Sequence, residues 1–490
     1  MYGGIYTARM SDRQPFLPQF RPQLASYGLR RTFLKTRAHT LSGLEALAAP
    51  ALPNINLSPT DSADNSRQRI YSLRRTFWCF LWQLLNPNTA GREVVRQLQA
   101  LLGLEEFAKI SSSDGAYCTA KARLPLSLLK IALSDSARSA DRRCANSSYP
   151  GLDREVLVVD GSTTSLADTP DNQRRFPQSA TQAKGCGFPL LKFVVLFSLA
   201  SGAIREVVIG NKHVHELRLF RRIWQSLKSG VILLADRGFS DYVTLAELSS
   251  RGVDVVTRLH QGRDPDARKG KRIGPGERLR TFTKPILRPS NLAKRIWKLL
   301  APELTVRLIK IAVTRKGFRP GVITLATTLL DVKKYPRQMI EGLYLRRWCL
   351  ELCLRDIKTT MGMEELRAKS PAMAEKQLHG YLIAHNVIRW IMADAARQHT
   401  VALHRISFKG TVDAVRHFSL ALAVAKTRPR RRTLYATLLE TLAEDLVPKR
   451  PGRREPRAVK RRPKPFARLT KHRKIYHELR HRSKCRKKPE

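Results

Sequence analysis

The sequence predicts an α/β fold, a mixed sheet covered by helices, and three observations predict it. Five short apolar runs, EVLVVDGS, KFVVLFSLA, AIREVVIG, VILLADRG and DVVTRL, have the length and β-branched content of buried strands. The second and third flank Ser201-Gly202, a tight hairpin turn. The last three are separated by HELRLFRRIWQSL and DYVTLAELSSR, which carry helical spacing. The order is therefore β-β-β-α-β-α-β: antiparallel at the start, with a parallel crossover later.

The remaining elements follow along the chain. Residues 1–65 are rich in Pro, Ser, Ala and Arg without sustained periodicity, and are expected to form a loose, flexible N-terminal arm. Over 66–148, RQRIYSLRRTFWCFLWQLL, GREVVRQLQALLGL and LPLSLLKIAL place apolar residues three and four apart, predicting a helical N-terminal domain that could bind DNA. The αβ domain should span 149–400, with Asp241 capping the helix before the last strand. Between 260 and 334 the rhythm breaks. A basic, Gly/Pro-punctuated stretch precedes LTVRLIKIAV and GVITLATTLL, which flank RKGFRP as a β-ribbon, so a β-rich insertion is expected there. Ser370-Pro371 fits an N-cap and first helical position, opening a helix to about 398 with Leu378, Leu382, Ile388 and Ile391 among its apolar positions. Residues 401–490 should be a C-terminal helical segment and a basic tail; from 449 onward the tail holds 19 Lys/Arg and 3 Glu.

Composition narrows the function. The chain has 490 residues, and its 90 basic against 40 acidic residues leave a net charge of +50. Small-molecule chemistry needs no such excess, whereas neutralising phosphates of a nucleic acid does. The seven cysteines form no CxxC pair, which argues against a zinc ribbon or disulfide framework and for a reducing compartment. Cys349 and Cys353 lack a second pair and read as structural thiols, as His213, His215 and His260 read as structural imidazoles. LLKFVVLFSLASGAI is too short to span a membrane, and no signal-peptide pattern opens the chain. A cytoplasmic protein working on DNA is expected.

Carboxylates in a basic protein need a reason. Asp160 and Asp236 each follow four apolar residues, at predicted strand ends where α/β ligands gather. One such acid is usually a cap or turn former; two beside DNA suggest bound divalent metal, since Mg²⁺ prefers oxygen ligands. The stretch YLRRWCLELCLRDIK adds a third acid. At about 100° per residue, Tyr344, Arg347, Glu351 and Lys358 fall within roughly 60° of each other. Leu343, Leu350, Leu354, Ile357 and Met361 form a second sector centred roughly 75° away. The polar strip therefore borders the buried face, where Glu351 can join Asp160 and Asp236; a merely solvated face would lie opposite.

These residues carry a resemblance. Tyr344-x2-Arg347-x3-Glu351-x6-Lys358 is similar to the Y-R-E-K signature of the insertion-sequence-four family of DDE transposases. VVDGST and ADRGF resemble that family's first and second acid motifs, and RDIKTTMGMEELRAKSP and GRREPRAVKRRPKPFARLTKHR resemble its later segments. The likeness runs from about residue 70 to about 475. It implies a ribonuclease-H-like fold, a five-stranded mixed sheet with helices on both faces and a β-rich insertion before the glutamate. It also implies that Asp160, Asp236 and Glu351 are catalytic and hold two Mg²⁺ ions, with Mn²⁺ as a substitute. One ion would activate water or a 3′-hydroxyl and the other stabilise the leaving oxygen. Tyr344, Arg347 and Lys358 would hold the DNA end near its 5′ phosphate; Trp297 reads first as a core tryptophan, with stacking on a flipped base as the alternative that the resemblance offers. The partners implied are double-stranded transposon ends and target DNA, bound by a homodimer in a synaptic complex. Two rivals remain: a catalytically inactive DNA-binding descendant, and a related metal nuclease such as a junction resolvase.

Overall fold

The computed structural model describes residues 40–57, 70–102, 110–144, 149–260, 269–290, 292–313, 321–425, 427–448, 469–472 and 475. The part of the expected arm before residue 40, the expected RKGFRP turn and nearly all of the basic tail lie outside the described residues.

The strand pattern read from the sequence is present and extended. Strands β1 (Val156–Leu166), β2 (Leu190–Ser198) and β3 (Ile204–Asn211) form an antiparallel meander; β4 (Ile232–Ala235) and β5 (Asp254–Arg258) add to β1 in parallel. The hairpin between β2 and β3 turns at Gly202, whose φ of +72° is a left-handed value. A Cβ there would also meet the Arg389 guanidinium at 2.8 Å. Where five strands were expected, the sheet has ten among the described residues, in the order β3-β2-β1-β4-β5-β9-β8-β7-β6, with β10 (Glu365–Leu366) beside the far end of β1. The insertion supplies β6 (Lys271–Gly274), β7 (Glu277–Thr283), β8 (Glu303–Val313) and β9 (Gly321–Thr327). β9 pairs antiparallel with β5, so the insertion covers the edge that β5 would otherwise expose. The sequence showed β8 and β9 as a ribbon. It did not show what they pair with, because alternation specifies a strand but not its partner.

Alternation along the strands sorts side chains into two cores. Val156, Val158, Val195, Ile232, Leu234, Val256 and Leu325 point to one face; Leu157, Val159, Val194, Leu233, Ala235 and Val255 point to the other. The first face is covered by α1 (Thr40–Ala48), α2 (Leu73–Leu85), α5 (Leu126–Arg143) and, later in the chain, α10 (Arg337–Arg355), α11 (Pro371–Gln398), α12 (Phe408–Val424) and α13 (Arg428–Glu444). The second is covered by α7 (Glu216–Phe220) and α8 (Tyr242–Ser250), joined by residues of the insertion around α9 (Lys294–Leu299). A satellite cluster joins α2 to α3 (Gly91–Leu102) and α4 (Gly115–Arg123). A short helix not read from the sequence, α6 (Pro170–Arg175), follows β1, opened by Thr169 accepting from the Asn172 amide.

Two expectations change. The arm expected to remain loose through residue 65 is packed by residue 44, where Leu44, Leu47 and Leu52 enter the first core. That segment is too short to show periodicity, yet three leucines suffice to anchor it. The N-terminal helices also share one continuous core with α11 and the sheet. Apolar stripes revealed that α2 and α5 bury a face, not what they bury it against. Asn386 fastens this layer. It is fully buried, its Oδ1 accepts from the Ile204 amide at 2.7 Å, and its Nδ2 donates to Ile204, Leu133 and Ser136. Asn386→Ala leaves the buried Ile204 amide without its acceptor and takes a donor from the Ile204 carbonyl. It should lower stability by about 2–4 kcal/mol, read as a fall in the urea midpoint, with little change in the slope.

Candidate active site

The two aspartates are brought together by strand register. Val156, Leu157 and Val158 of β1 pair with Ile232, Leu233 and Leu234 of β4. Continued two residues, that register sets Asp160 level with Asp236, on strands about 4.8 Å apart. β4 ends at Ala235, as read from the sequence, and Asp236 opens a short 3-10 turn. β1 does not end at Asp160: it runs on to Leu166, held by β2 and then β10, so Asp160 lies mid-strand where its parallel neighbour stops. A run of five apolar-to-acid residues looked like a strand end because the polar segment GSTTS that follows has no core to face on this side. Asp160 lies opposite Val195, and its alternation matches Val156 and Val158, so its carboxylate is on the first face.

Helix α10 crosses β4 and β5 on that same face. Pro336 precedes it, and its entry is fixed by the insertion. Arg307, fully buried against Glu277, donates from Nη1 to the Tyr335 carbonyl at 2.7 Å, and Arg337 Nη2 donates to the Lys310 carbonyl at 2.6 Å. The expected strip is therefore presented to the acids. Tyr344 is buried and Arg347 nearly so, with 6% of its side chain exposed, while Glu351 keeps 52% exposed. Arg347 Nη2 donates to Glu351 Oε1 at 2.9 Å. Lys358 departs from the strip geometry. It lies past the α-helix in a π turn, Asp356–Thr360, where the Met361 amide reaches back to the Asp356 carbonyl. The wider turn shifts its direction. Thr164 Oγ1 draws the following chain onto β1 by donating to the Met363 carbonyl at 2.7 Å, and Lys358 stays within electrostatic reach of Asp160.

Electrostatics link all six residues. Burial pushes the Asp160 carboxyl up to about 6; the Arg347 guanidinium and the Gly161 amide oppose that, and Glu351 and Asp236 add to it. Burial also pushes the Tyr344 phenol up to about 12, against the pull of Arg347, so it keeps its proton at neutral pH. Its hydroxyl and Arg347 Nε are buried without a hydrogen-bond partner among the described residues. Buried polar atoms without partners are uncommon.

The donor set suits a hard divalent cation: three carboxylates, two of them level on adjacent strands, with Glu351 and Asp236 adding to the upward push on Asp160. The fit is chemical and not yet geometric. Among the described residues no three His, Cys, Asp or Glu side chains gather closely enough to hold one ion, and Glu351 is engaged by Arg347 instead.

Trp297 is not brought to this group. It is half-buried on α9, packs against the opposite core and carries Lys284 Nζ 4.6 Å above its ring. His215 caps α7 by accepting from the Leu217 amide, and Cys353 is buried beside the strip. One neighbour of the acids was missed, Arg258 at the end of β5. A single arginine after a strand carries no signal in a chain with 90 basic residues. Among the described residues no helix is long and apolar enough to cross a membrane.

Comparison with known proteins now bears on this group. Residues 151–387 match the family described as Transposase DDE domain. The chain is 27% identical over 407 residues to the transposase InsG for insertion sequence element IS4 of Escherichia coli (strain K12), covering 81% of this chain and 87% of that protein. Among solved structures it is similar to a piggyBac transposase synaptic complex with hairpin DNA, at 10% identity and a TM-score of 0.39, covering 86% of each chain.

The raised Asp160 carboxyl makes a prediction for the metal-free protein. Its folded value lies above the ordinary 3.8, so the native state holds its proton where the unfolded chain has lost it. Stability should therefore fall as pH rises from about 4 to about 6, then stay level. Asp160→Asn removes this penalty. In chelator, the variant should unfold at higher temperature than wild type at pH 8, by no more than ~3 kcal/mol of stability, and match it near pH 4. Equal unfolding at pH 8 would count against a buried, unneutralised carboxylate.

Residues 151–387 thus carry the match to a transposase DDE domain, and over most of its length the chain is similar to the transposase of insertion sequence element IS4.

Proposed function

We propose that this transposase binds the terminal inverted repeats of its insertion sequence and, with divalent metal, cuts and joins DNA at Asp160, Asp236 and Glu351. The observation that carries the reading is the placement of three carboxylates around one buried arginine, on a single sheet face of a chain with net charge +50. A pure DNA binder has no use for acids where phosphates must approach. The ordering of β1, β2, β3, β4 and β5 supports a ribonuclease-H-like fold for the region around them.

Asp160, Asp236 and Glu351 would hold Mg²⁺ or Mn²⁺, two ions in the family's reading, and metal bound there stabilises charge on the attacking and leaving oxygens of the phosphodiester. The protein's own part is positioning and charge. Arg347 is held by Glu351, with its Nε unpaired, and can take a phosphate oxygen there. A phosphate so bound competes with Glu351 for the guanidinium and frees that carboxylate. The protonated Tyr344 hydroxyl offers a second donor and Lys358 a point charge. Trp297 would act as a base-stacking platform only if DNA binding draws α9 toward the strip. Two transposon ends suggest a homodimer on DNA.

The test uses purified full-length protein and a duplex carrying the terminal repeat that flanks the gene. Wild type with Mg²⁺ should nick at the repeat boundary, and chelation should abolish this. Glu351→Gln should cleave at least about 10³-fold more slowly, with duplex affinity within about threefold of wild type. Binding without cleavage by wild type would favour the inactive DNA-binding descendant. Separately, Tyr344→Phe removes an unpaired hydroxyl. It should leave thermal stability unchanged and weaken binding of the duplex by about 5–10-fold.

A further inference from the structure

The chain that leads into β1 lies along the helix that carries the strip. Tyr149 meets α10 at Gly342 and Arg346. The Arg346 guanidinium stands 4.6 Å from the centre of its ring, and a Cβ built on Gly342 would fall 2.1 Å from its hydroxyl. Two residues on, a Cβ at Gly151 would lie 3.3 Å from Met339 Cε. Arg154 then reaches Tyr335, just before the helix begins, donating from Nη1 to its hydroxyl at 2.9 Å. As residue numbers rise along this segment, those of their partners fall. Residues 149–154 therefore run antiparallel to the first half of α10, as a strap.

Both ends of the strap are fixed. Tyr149-Pro150-Gly151-Leu152 is a tight turn, closed by the Leu152 amide donating to the Tyr149 carbonyl at 2.9 Å. Proline at its second position and a φ of +76° at Gly151 are what a type II turn requires. At the other end Arg154 donates to the Gly230 carbonyl at 2.6 Å and pairs with Asp254 at 2.8 Å, tying the strap to the starts of β4 and β5.

The strap lies on a defined side of the helix. At about 100° per residue, Met339, Gly342 and Arg346 share one stripe of α10, and Tyr344, Arg347 and Glu351 lie roughly 140° round from it. Gly342 stands in the helix interior, where glycine is destabilising relative to alanine, and its φ is not left-handed. What it provides is room for the Tyr149 hydroxyl. The insertion grips only the entrance of α10, whereas the strap reaches Arg346, the residue next to Arg347.

We propose that Tyr149 is a positioning residue for the reaction: through Gly342 and Arg346 it sets where α10 holds Arg347 and Glu351 relative to Asp160 and Asp236. This rests on the proposed reading of those acids as the site of DNA cleavage. Tyr149 stands on the outer side of the helix and takes no part in the chemistry. Its effect is through geometry, since a misplacement of about 1 Å is enough to slow a reaction about 10²-fold. A cavity of about 270 Å³ opens beside Tyr149, Asp153, Arg154 and Arg346. A methyl added at Gly342 can push the ring toward that space, so the variant is expected to fold with Tyr149 displaced.

The experiment uses full-length protein and a duplex carrying the repeat that flanks the gene. Single-turnover cleavage is measured in Mg²⁺ with protein in saturating excess, at a temperature where thermal unfolding shows every variant folded. Gly342→Ala should cleave about 10–100-fold more slowly than wild type. Tyr149→Phe removes the oxygen that the new Cβ would meet. In that background the same glycine substitution should cost less than about threefold. Hydrogen exchange reads the helix without cleavage: α10 amides around Arg347 should exchange about tenfold faster in Gly342→Ala, and return to within about twofold when Tyr149→Phe is added. The proposal is overturned if Gly342→Ala cleaves within about threefold of wild type, or if it is equally slow with and without the tyrosine hydroxyl. A wild type that never cleaves sinks the reading of the acids. Exchange then decides the strap, which falls if Gly342→Ala leaves α10 exchange unchanged and stands if Tyr149→Phe reverses a rise. If Gly342→Ala does not fold, Tyr149→Ala takes its place. It should slow cleavage at least about tenfold, and a rate within about threefold of wild type would overturn the proposal.

Discussion

The charge on Asp160 is the constraint around which this molecule is arranged. A carboxylate on a largely buried strand face, with Asp236 beside it and Glu351 above, costs free energy that the surrounding structure must offset. The neighbour that offsets it most is Arg347, itself almost fully withdrawn from water and shared with Glu351. The protein therefore holds a buried carboxylate whose burial the neighbouring positive charge offsets only in part. An assembly of this kind is poorly suited to being a structural core and well suited to receiving metal and phosphate.

Much of the remaining architecture keeps that cluster in place. The parallel register of β1, β4 and β5 sets Asp160, Asp236 and Arg258 abreast, and the fully buried Thr257 fastens the end of the row. The insertion does more than extend the sheet. Through Arg307 and Arg337 it grips the entrance of α10, the helix that carries Tyr344, Arg347 and Glu351. Movement of the insertion would thus be felt at that helix without any contact to the acids. On the far side, α11 and Asn386 bind the helical layer to β3, closing the first core behind the site.

The sequence by itself determined the chemistry. The acids after VLVV and ILLA, the strip at helical spacing and the net charge of +50 each express local rules: period two, period 3.6, and the counterion demand of phosphate. Strand order through β5 and the caps at Asp241 and Ser370 were legible for the same reason, since each depends on neighbours within a few residues.

What only the tertiary structure decided is pairing across long separations. No local rule states that β9 closes the edge of β5, that the first leucines of the described chain enter the main core, or that the N-terminal helices share that core with α11. Nor does one show that Asp160 sits in mid-strand, that Lys358 leaves its helix through a π turn, or that Glu351 rests against Arg347 and not beside the aspartates. Arg258 is the clearest case. It stands level with residues about a hundred and about twenty positions earlier, which register alone creates. Spacing along a chain fixes which way a side chain points, but only the closed sheet fixes what it meets there.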